Sequence, residues 1–525
     1  MKSSFISSIL VLSSFAAGCT GGVSRPQSGA LNRILQENVR RDIFFLASDS
    51  LKGRDTPSPE LDTAAAYVAK AFARAGLQPV NGSYFQRVPL NIVSLSEPNE
   101  LRIRRGSFEK ACEIKTEFTP FEMTATRRVH ASLVFAGYGI SAPEYKYDDY
   151  AGIDVQGKVV VVLRHEPGEE DTTSVFMGAK ATEYSGVGTK IRIAREHGAI
   201  GVLVATDPLN HTSLSPRGFP WPSLSRIIPK DALPLTLGAE ESTKVPVVQI
   251  GESVITLLFG SVDSLKTIQA GIDRRLTPHS YAIEGTEAFL ETSTEKKDMS
   301  SRNVVGLLPG SDPRLRDEIV IVGAHYDHVG YRKEHAPGER YIFNGADDNA
   351  SGTCALLGVA AALGGLPSAP RRSILCIAFS GEEKGLYGSE YYARAPLFPM
   401  KNTVAMLNMD MVGRNGEDSL YLICADGSPD IDRIAHEEDK TEGFVLVETK
   451  LTVGGSDHMS FMKRNIPNLF FTSGLEDVYH TVNDRPELID TRKIARVARL
   501  VFLTAYHCAG DSLRYQYIPK PISLF

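Results

Sequence analysis

The sequence predicts a mixed α/β protein: a mostly parallel sheet flanked by helices, with a separate β-rich insert. The first observation behind this is the alternation that begins after Asn303. Apolar runs at Glu318–Ala324, Ser373–Phe379, Val404–Met409 and Asn468–Phe471 interleave with helical patterns near Asn349–Leu363, Glu390–Arg394, Ile431–Glu438 and Thr491–Cys508. Continuous apolar strands separated by helices belong to a parallel sheet covered on both faces. The second is a change of pattern between about Met123 and Ile283. There, short β-runs (ASLVFAGYGI, GKVVVVLR, AIGVLVATD, VPVVQI) are divided by turns, with one amphipathic helix near Lys190–His197. The third is length: 525 residues exceed one ordinary domain.

The elements follow in chain order. Lys2 precedes the apolar stretch Phe5–Ala17, which ends in Ala16, Ala17, Gly18 and Cys19. It is too short to span a bilayer and reads as an export signal over residues 1–19. Small residues directly before a cysteine resemble a bacterial lipoprotein signal, in which a lipidated Cys19 anchors the chain to a membrane of the cell envelope. An ordinary secretion signal is the alternative. Residues 20–30 (TGGVSRPQSGA) are small and polar and form a tether. Residues 31–122 open the main domain with helices over Leu31–Ala47 and Leu61–Ala75, the second ending at Gly76. Residues 123–285 form the insert, where no candidate metal ligands are expected. The polar stretch Gly285–Arg302 returns the chain to the main domain, residues 286–525.

Composition narrows the function classes. With 42% hydrophobic and 23% charged residues and a net charge of −6, the chain has ample core. It has no basic run, so no nucleic-acid partner is expected. The five cysteines after Cys19 are scattered and lack CxxC spacing, which excludes a disulfide framework and cysteine-bound zinc.

Five candidate metal ligands stand in the C-terminal half: His325, Asp347, Glu383, Asp410 and His480. Two imidazoles and three carboxylates suit a pair of zinc-like divalent ions. In GAHYDH an apolar strand delivers His325 to the sheet edge, where Asp327 can orient its imidazole. His328 is a rival ligand, read as pocket wall. In NGADDNASG, Asp347 is placed to bridge two cations, while Asp348 caps the following helix. In FSGEEKG two adjacent carboxylates follow a buried strand and need compensating charge. Glu383 would hold metal and Glu382 would serve as general base. In LNMDMVG, Asp410 interrupts an apolar strand and needs a partner. VYHTVND supplies His480, with Tyr479 as a phenol donor, and GGSDHMSF places Asp457 and His458 in the pocket or behind the ligands.

Taken in order, GAHYDH, GADDNASG, GEE, NMDMVG and YHTVND resemble family 28 of the metallopeptidases, a cocatalytic two-zinc group. The segments RDIFFLASDSLKGR and AAAYVAKAFARAGLQPV are similar to its bacterial aminopeptidase members. FAGYGI, YDDYAGIDVQGKVVVVLR and GAIGVLVATD resemble their protease-associated domain. The resemblance covers nearly the whole chain beyond the signal. It implies the three-layer zinc-peptidase fold and two zinc ions per chain. One zinc would be held by His325, Asp347 and Asp410, and the other by Asp347, Glu383 and His480. Glu382 would be the base and Tyr479 a donor to the carbonyl oxyanion. Removal of single N-terminal residues from peptide substrates is the implied reaction. A carboxypeptidase or dipeptidase on the same scaffold would need a cation near the site, such as Arg217, Arg226 or Arg332. A non-catalytic binding protein would have no use for Glu382 beside five ligands.

Overall fold

A computed structural model describes residues 28–518, apart from 172, 177–181, 217–235, 239–242, 333–334 and 450–454. The export-signal region and its Cys19 lie outside the described residues. Among these residues no helix is long and apolar enough to cross a membrane.

The main sheet has nine described strands. Its centre is parallel: Ser373–Phe379, Ile319–His325, Thr403–Met409 and Asn468–Thr472 lie side by side in that order. These are the four strands expected from the apolar runs, displaced by a residue or two at their ends. Side chains alternate between two buried faces, as strand geometry requires. Val320, Val322 and Ala324 face one core with helices Gly352–Leu363 and Thr491–Gly510, whereas Ile319 and Ile321 pack with Tyr392 and Phe461 on the other. Three layers result, helix, sheet and helix.

The insert carries a sheet of its own, with eight described strands and a parallel centre at Val159–Leu163, Gly201–Ala205 and Val247–Ile250. This sheet also takes in Glu100–Arg105, Phe108–Cys112, Phe118–Pro120 and Ser280–Thr292. It therefore reaches past the expected limits of 123 and 285 on both sides. The polar return segment is not a loop. Its first part ends the insert strand Ser280–Thr292, and the rest opens the long strand Thr294–Leu308, whose residues 294–304 pair with Phe85–Leu95 and join the insert to the main sheet. The first half of that long strand is largely exposed, so no apolar alternation marks it as strand. Helices Glu252–Phe259 and Val262–Arg275 were likewise not legible as helices. The apolar VITLLF run fits a short strand equally well, and the decisive cap is local: Ser261 accepts from the Ser264 N–H. Leu31–Ala47 is not one helix but two, Ser28–Leu31 and Gln36–Leu46.

Candidate active site

The parallel strands end at a common edge, and in such sheets that edge is where ligands bind. His325 is the last residue of its strand, with its carbonyl accepting from Thr353 Oγ1 at 2.7 Å. Asp410 follows Met409 directly. Gly381, at φ +72°, turns the chain after Phe379 so that Glu382 and Glu383 start a short 3-10 turn. His480 comes from the loop beyond Asn468–Thr472.

These side chains converge on Asp348. Its Oδ1 lies 3.4 Å from His325 Nε2, which is itself 3.3 Å from Asp410 Oδ2. Its Oδ2 lies 2.9 Å from His480 Nε2, which is 3.0 Å from Glu383 Oε2. One carboxylate thus faces two separate donor groups, His325 with Asp410 and Glu383 with His480.

Asp347 does not occupy that position, which corrects the sequence reading. Its Oδ1 accepts from the Gly413 N–H at 2.7 Å, on the far side of the turn Ala346–Ser351. Within that turn Asp348 leaves helical geometry (φ −103°, ψ 98°), so the two neighbouring carboxylates point to opposite sides. Asp348 is accordingly no helix cap. Burial, with Asp484 nearby, pushes the Asp347 carboxyl up to about 8.

Both N–H groups of this pair are gripped by Asp484. Its carboxylate accepts from Asp347 N at 2.8 and 3.0 Å and from Asp348 N at 3.0 Å. Asp484 closes the VYHTVND segment four residues after His480 and has no sequence signal beyond that neighbourhood. Arg54 was missed for the same reason. Its buried guanidinium donates to the carbonyls of Tyr326, Asn344 and Gly345, each at 2.8 Å, tying the His325 and Asp348 loops together. His328 is more than pocket wall: its Nδ1 meets Glu383 Oε1 at 2.7 Å, leaving Oε2 for the side shared with His480.

Asp327 supports the His325 imidazole mainly through its main chain. His325 Nδ1 is 3.3 Å from the Asp327 carbonyl and 3.7 Å from its carboxylate. The carboxylate instead accepts from Thr56 Oγ1 at 3.1 Å and from Glu382 N at 3.2 Å, so it also sets the position of Glu382. Asp457 is buried with neither carboxylate oxygen hydrogen-bonded, and burial lifts it to about 7. His458 stacks on Phe470 with ring centroids 4.6 Å apart, and burial depresses it to about 3, so it is a neutral wall group.

The residues fit a metal centre. His325 Nε2, His480 Nε2 and Asp410 Oδ1 are buried without a hydrogen-bond partner, a costly state that coordination removes. Donors around a tetrahedral zinc stand about 3.3 Å apart, and the four separations given above for Asp348, His325, Asp410, His480 and Glu383 run from 2.9 to 3.4 Å. Against the effect of burial, Glu383 and Asp348 raise His480 to about 10: the site's field demands positive charge.

Beside these groups opens a cavity of about 550 Å³. Asp348, Glu382, Asp410 and Tyr479 form its polar end, and Met411, Tyr421, Ile423, Phe470 and Leu475 its apolar walls. Tyr479 stacks on His480 at 3.8 Å. Glu382 reaches within 4.0 Å of His325 Nε2. Its proton affinity is raised by burial and by neighbouring Glu383, Asp410 and Asp457, with His325 opposing. The lining contains no lysine or arginine among the described residues. Arg332 pairs with Glu339 at 3.0 Å, while Arg217 and Arg226 fall outside the described residues.

Comparison with known proteins agrees with this architecture. Residues 303–505 match the model of peptidase family M28, and residues 129–258 match the PA domain. Aminopeptidase YwaD of Bacillus subtilis is 31% identical over 235 residues, 42% of this chain and 48% of the relative. A probable leucine aminopeptidase of Trichophyton verrucosum is 26% identical over 259 residues, 47% of this chain and 69% of the relative. The match thus spans about half the length of the Bacillus protein. The solved aminopeptidase from Aneurinibacillus sp. strain AM-1 shares the fold, with a TM-score of 0.53 and 23% identity over 94% of this chain and 98% of that one. Residues 303–505 are thus similar to peptidase family M28, and the region similar to the PA domain lies between the main-sheet strands Phe85–Leu95 and Thr294–Leu308.

Proposed function

We propose that the chain is a zinc-dependent aminopeptidase acting on peptides. His325, Asp348 and Asp410 would hold one ion, and Asp348, Glu383 and His480 a second. The observation that carries this reading is the sharing of Asp348 between two donor groups, with the carboxylate of Glu382 beside them and free of any ligand role. Bound zinc supplies Lewis acidity toward the scissile carbonyl and acidifies water.

The chain's own groups account for the rest. Glu382 takes the proton of the attacking water and delivers it to the leaving amine, and its raised proton affinity suits that shuttle. The Tyr479 phenol, at the mouth of the cluster, donates to the carbonyl oxygen as charge develops there. The apolar cavity walls favour an apolar N-terminal side chain. Relatives named aminopeptidase support the reading. A carboxypeptidase would require a cation to grip the substrate carboxylate, and the described lining offers none. Residues 1–19 further support export with lipidation at Cys19, which mass analysis of the mature N-terminus tests.

The test of activity is a panel of aminoacyl chromogenic amides with N-blocked controls, with and without a chelator. Chelator-sensitive cleavage restricted to free N-termini, best for leucine-like residues, is expected. Cleavage only of substrates with a free C-terminal carboxylate would replace this reading with carboxypeptidase.

A further inference from the structure

The PA domain holds a second group of histidines and carboxylates, remote in sequence from the M28 ligands. The segments HEPGE (165–169) and DPLNH (207–211) each place two donors four residues apart: His165 with Glu169, and Asp207 with His211. They follow the neighbouring parallel strands Val159–Leu163 and Gly201–Ala205, at the carboxyl edge of the insert's sheet. The parallel pairing that brings these two strands level therefore brings four ligand types together.

Four donor side chains face one another, two pairs of them at hydrogen-bond distance. His165 Nδ1 lies 2.6 Å from Asp207 Oδ1 and 3.9 Å from Glu169 Oε2. His211 Nε2 lies 3.0 Å from Glu169 Oε2 and 3.4 Å from Asp207 Oδ2. One atom from each residue falls within 4.8 Å of all the others. Tetrahedral zinc would need separations of about 3.3 Å, so the shell must open slightly at its shortest edge and contract at its longest. The two rings stack at 4.2 Å and 27°, with their nitrogens converging on the same carboxylates.

An independent observation points to a missing ligand. Asp207 is fully buried, and its Oδ2 accepts no hydrogen bond although it faces His211. A buried, unsatisfied carboxylate oxygen is costly. The nearby Lys190 does not relieve it by a hydrogen bond, because its Nζ donates to the carbonyls of Tyr138 and His165 at 2.6 and 2.5 Å. The second of these bonds ties the His165 carbonyl to the helix that carries Lys190. Access is open: His211 also lines a cavity of about 320 Å³ with Asn210, Thr212 and Ser213.

We propose that His165, Glu169, Asp207 and His211 form a divalent-cation site of the PA domain, of zinc type by its two imidazoles and two carboxylates. The ion would clamp the loops after two adjacent strands and be structural, since four protein donors fill a tetrahedral shell. The site is independent of the proposed peptidase reaction.

The experiment is metal analysis of the full chain, stripped and then reconstituted with zinc alone. Wild type is expected to retain one metal equivalent more than the variant combining His165→Ala and His211→Ala. In an Asp348→Asn background, cobalt titration should still produce tetrahedral d–d absorption that Glu169→Ala weakens by at least about tenfold in affinity. Because Glu169 is partly exposed, that variant remains informative if the double variant misfolds. An equal metal count in folded wild type and double variant, or a cobalt titration indifferent to Glu169, overturns the proposal and leaves an ion-pair network.

Discussion

Two clusters of histidine and carboxylate stand at the carboxyl edges of the parallel centres of two mixed sheets, and they differ in what surrounds them. In the main domain, His325, Asp348 and Glu383 are sealed, with side chains 1 to 5% exposed. A further carboxylate, Glu382, stands beside them on an apolar cavity. In the PA domain only Asp207 is sealed, while the other three side chains are 24 to 35% exposed. No fifth acid lines the cavity beside it among the described residues. A buried cluster with one acid left over is equipped for proton transfer; a rim cluster whose four donors close on one another is equipped to hold. Donor identity alone does not separate the two cases.

The comparison is sharpened most by removing the extra acid. Glu382→Gln is expected to lower kcat about 10²- to 10⁴-fold with metal content unchanged, measured on the best amide substrate together with elemental analysis. Retained activity would make the two clusters equivalent in kind. The next contrast lies between neighbours. Asp348→Asn should lose metal and activity together, whereas Asp347→Asn should keep its metal, because its carboxylate serves Gly413 rather than the donor groups. Equal metal loss in both variants would break the assignment of Asp348 as the shared ligand. Asp484→Asn should weaken metal affinity roughly 10- to 100-fold by loosening the turn that presents Asp348, and competitive chelation reads this directly.

The smallest expected effect concerns His458 and is a pH dependence of stability. Its folded pKa is depressed to about 3 from an ordinary value of 6.5. Between those values the unfolded chain binds the extra proton, so stability rises with pH there and falls on acidification. At pH 5 the loss is about 2 kcal/mol. Denaturant unfolding of the metal-free protein at pH 7 and pH 5 should therefore show a smaller acid loss in His458→Phe than in wild type. An identical acid loss in both would mean that His458 titrates normally.

The central strands were legible because they are buried on both faces and read as unbroken apolar runs bounded by turns. His325 and Asp410 were legible for the same reason: a polar residue at the end of such a run has few bland explanations. Helices Glu252–Phe259 and Val262–Arg275 and the ribbon Thr294–Leu308 were not, since short apolar stretches lack a distinguishing period and an exposed ribbon lacks contrast. The expectation that the insert contains no candidate ligands failed differently. His165 with Glu169, and Asp207 with His211, are unremarkable pairs until two strands align them.

By itself, then, the sequence determined the α/β class, the order of the segments that carry the candidate ligands and the donor types available, because burial period and residue chemistry are local properties. The tertiary structure decided which of two adjacent aspartates faces both donor groups. A turn with non-helical dihedrals at Asp348 and Asn349 sends neighbouring side chains to opposite sides, and the partners that hold it, Asp484 and Gly413, come from distant loops. It also decided that donors some forty residues apart in the PA domain meet, since strand pairing rather than spacing sets their separation.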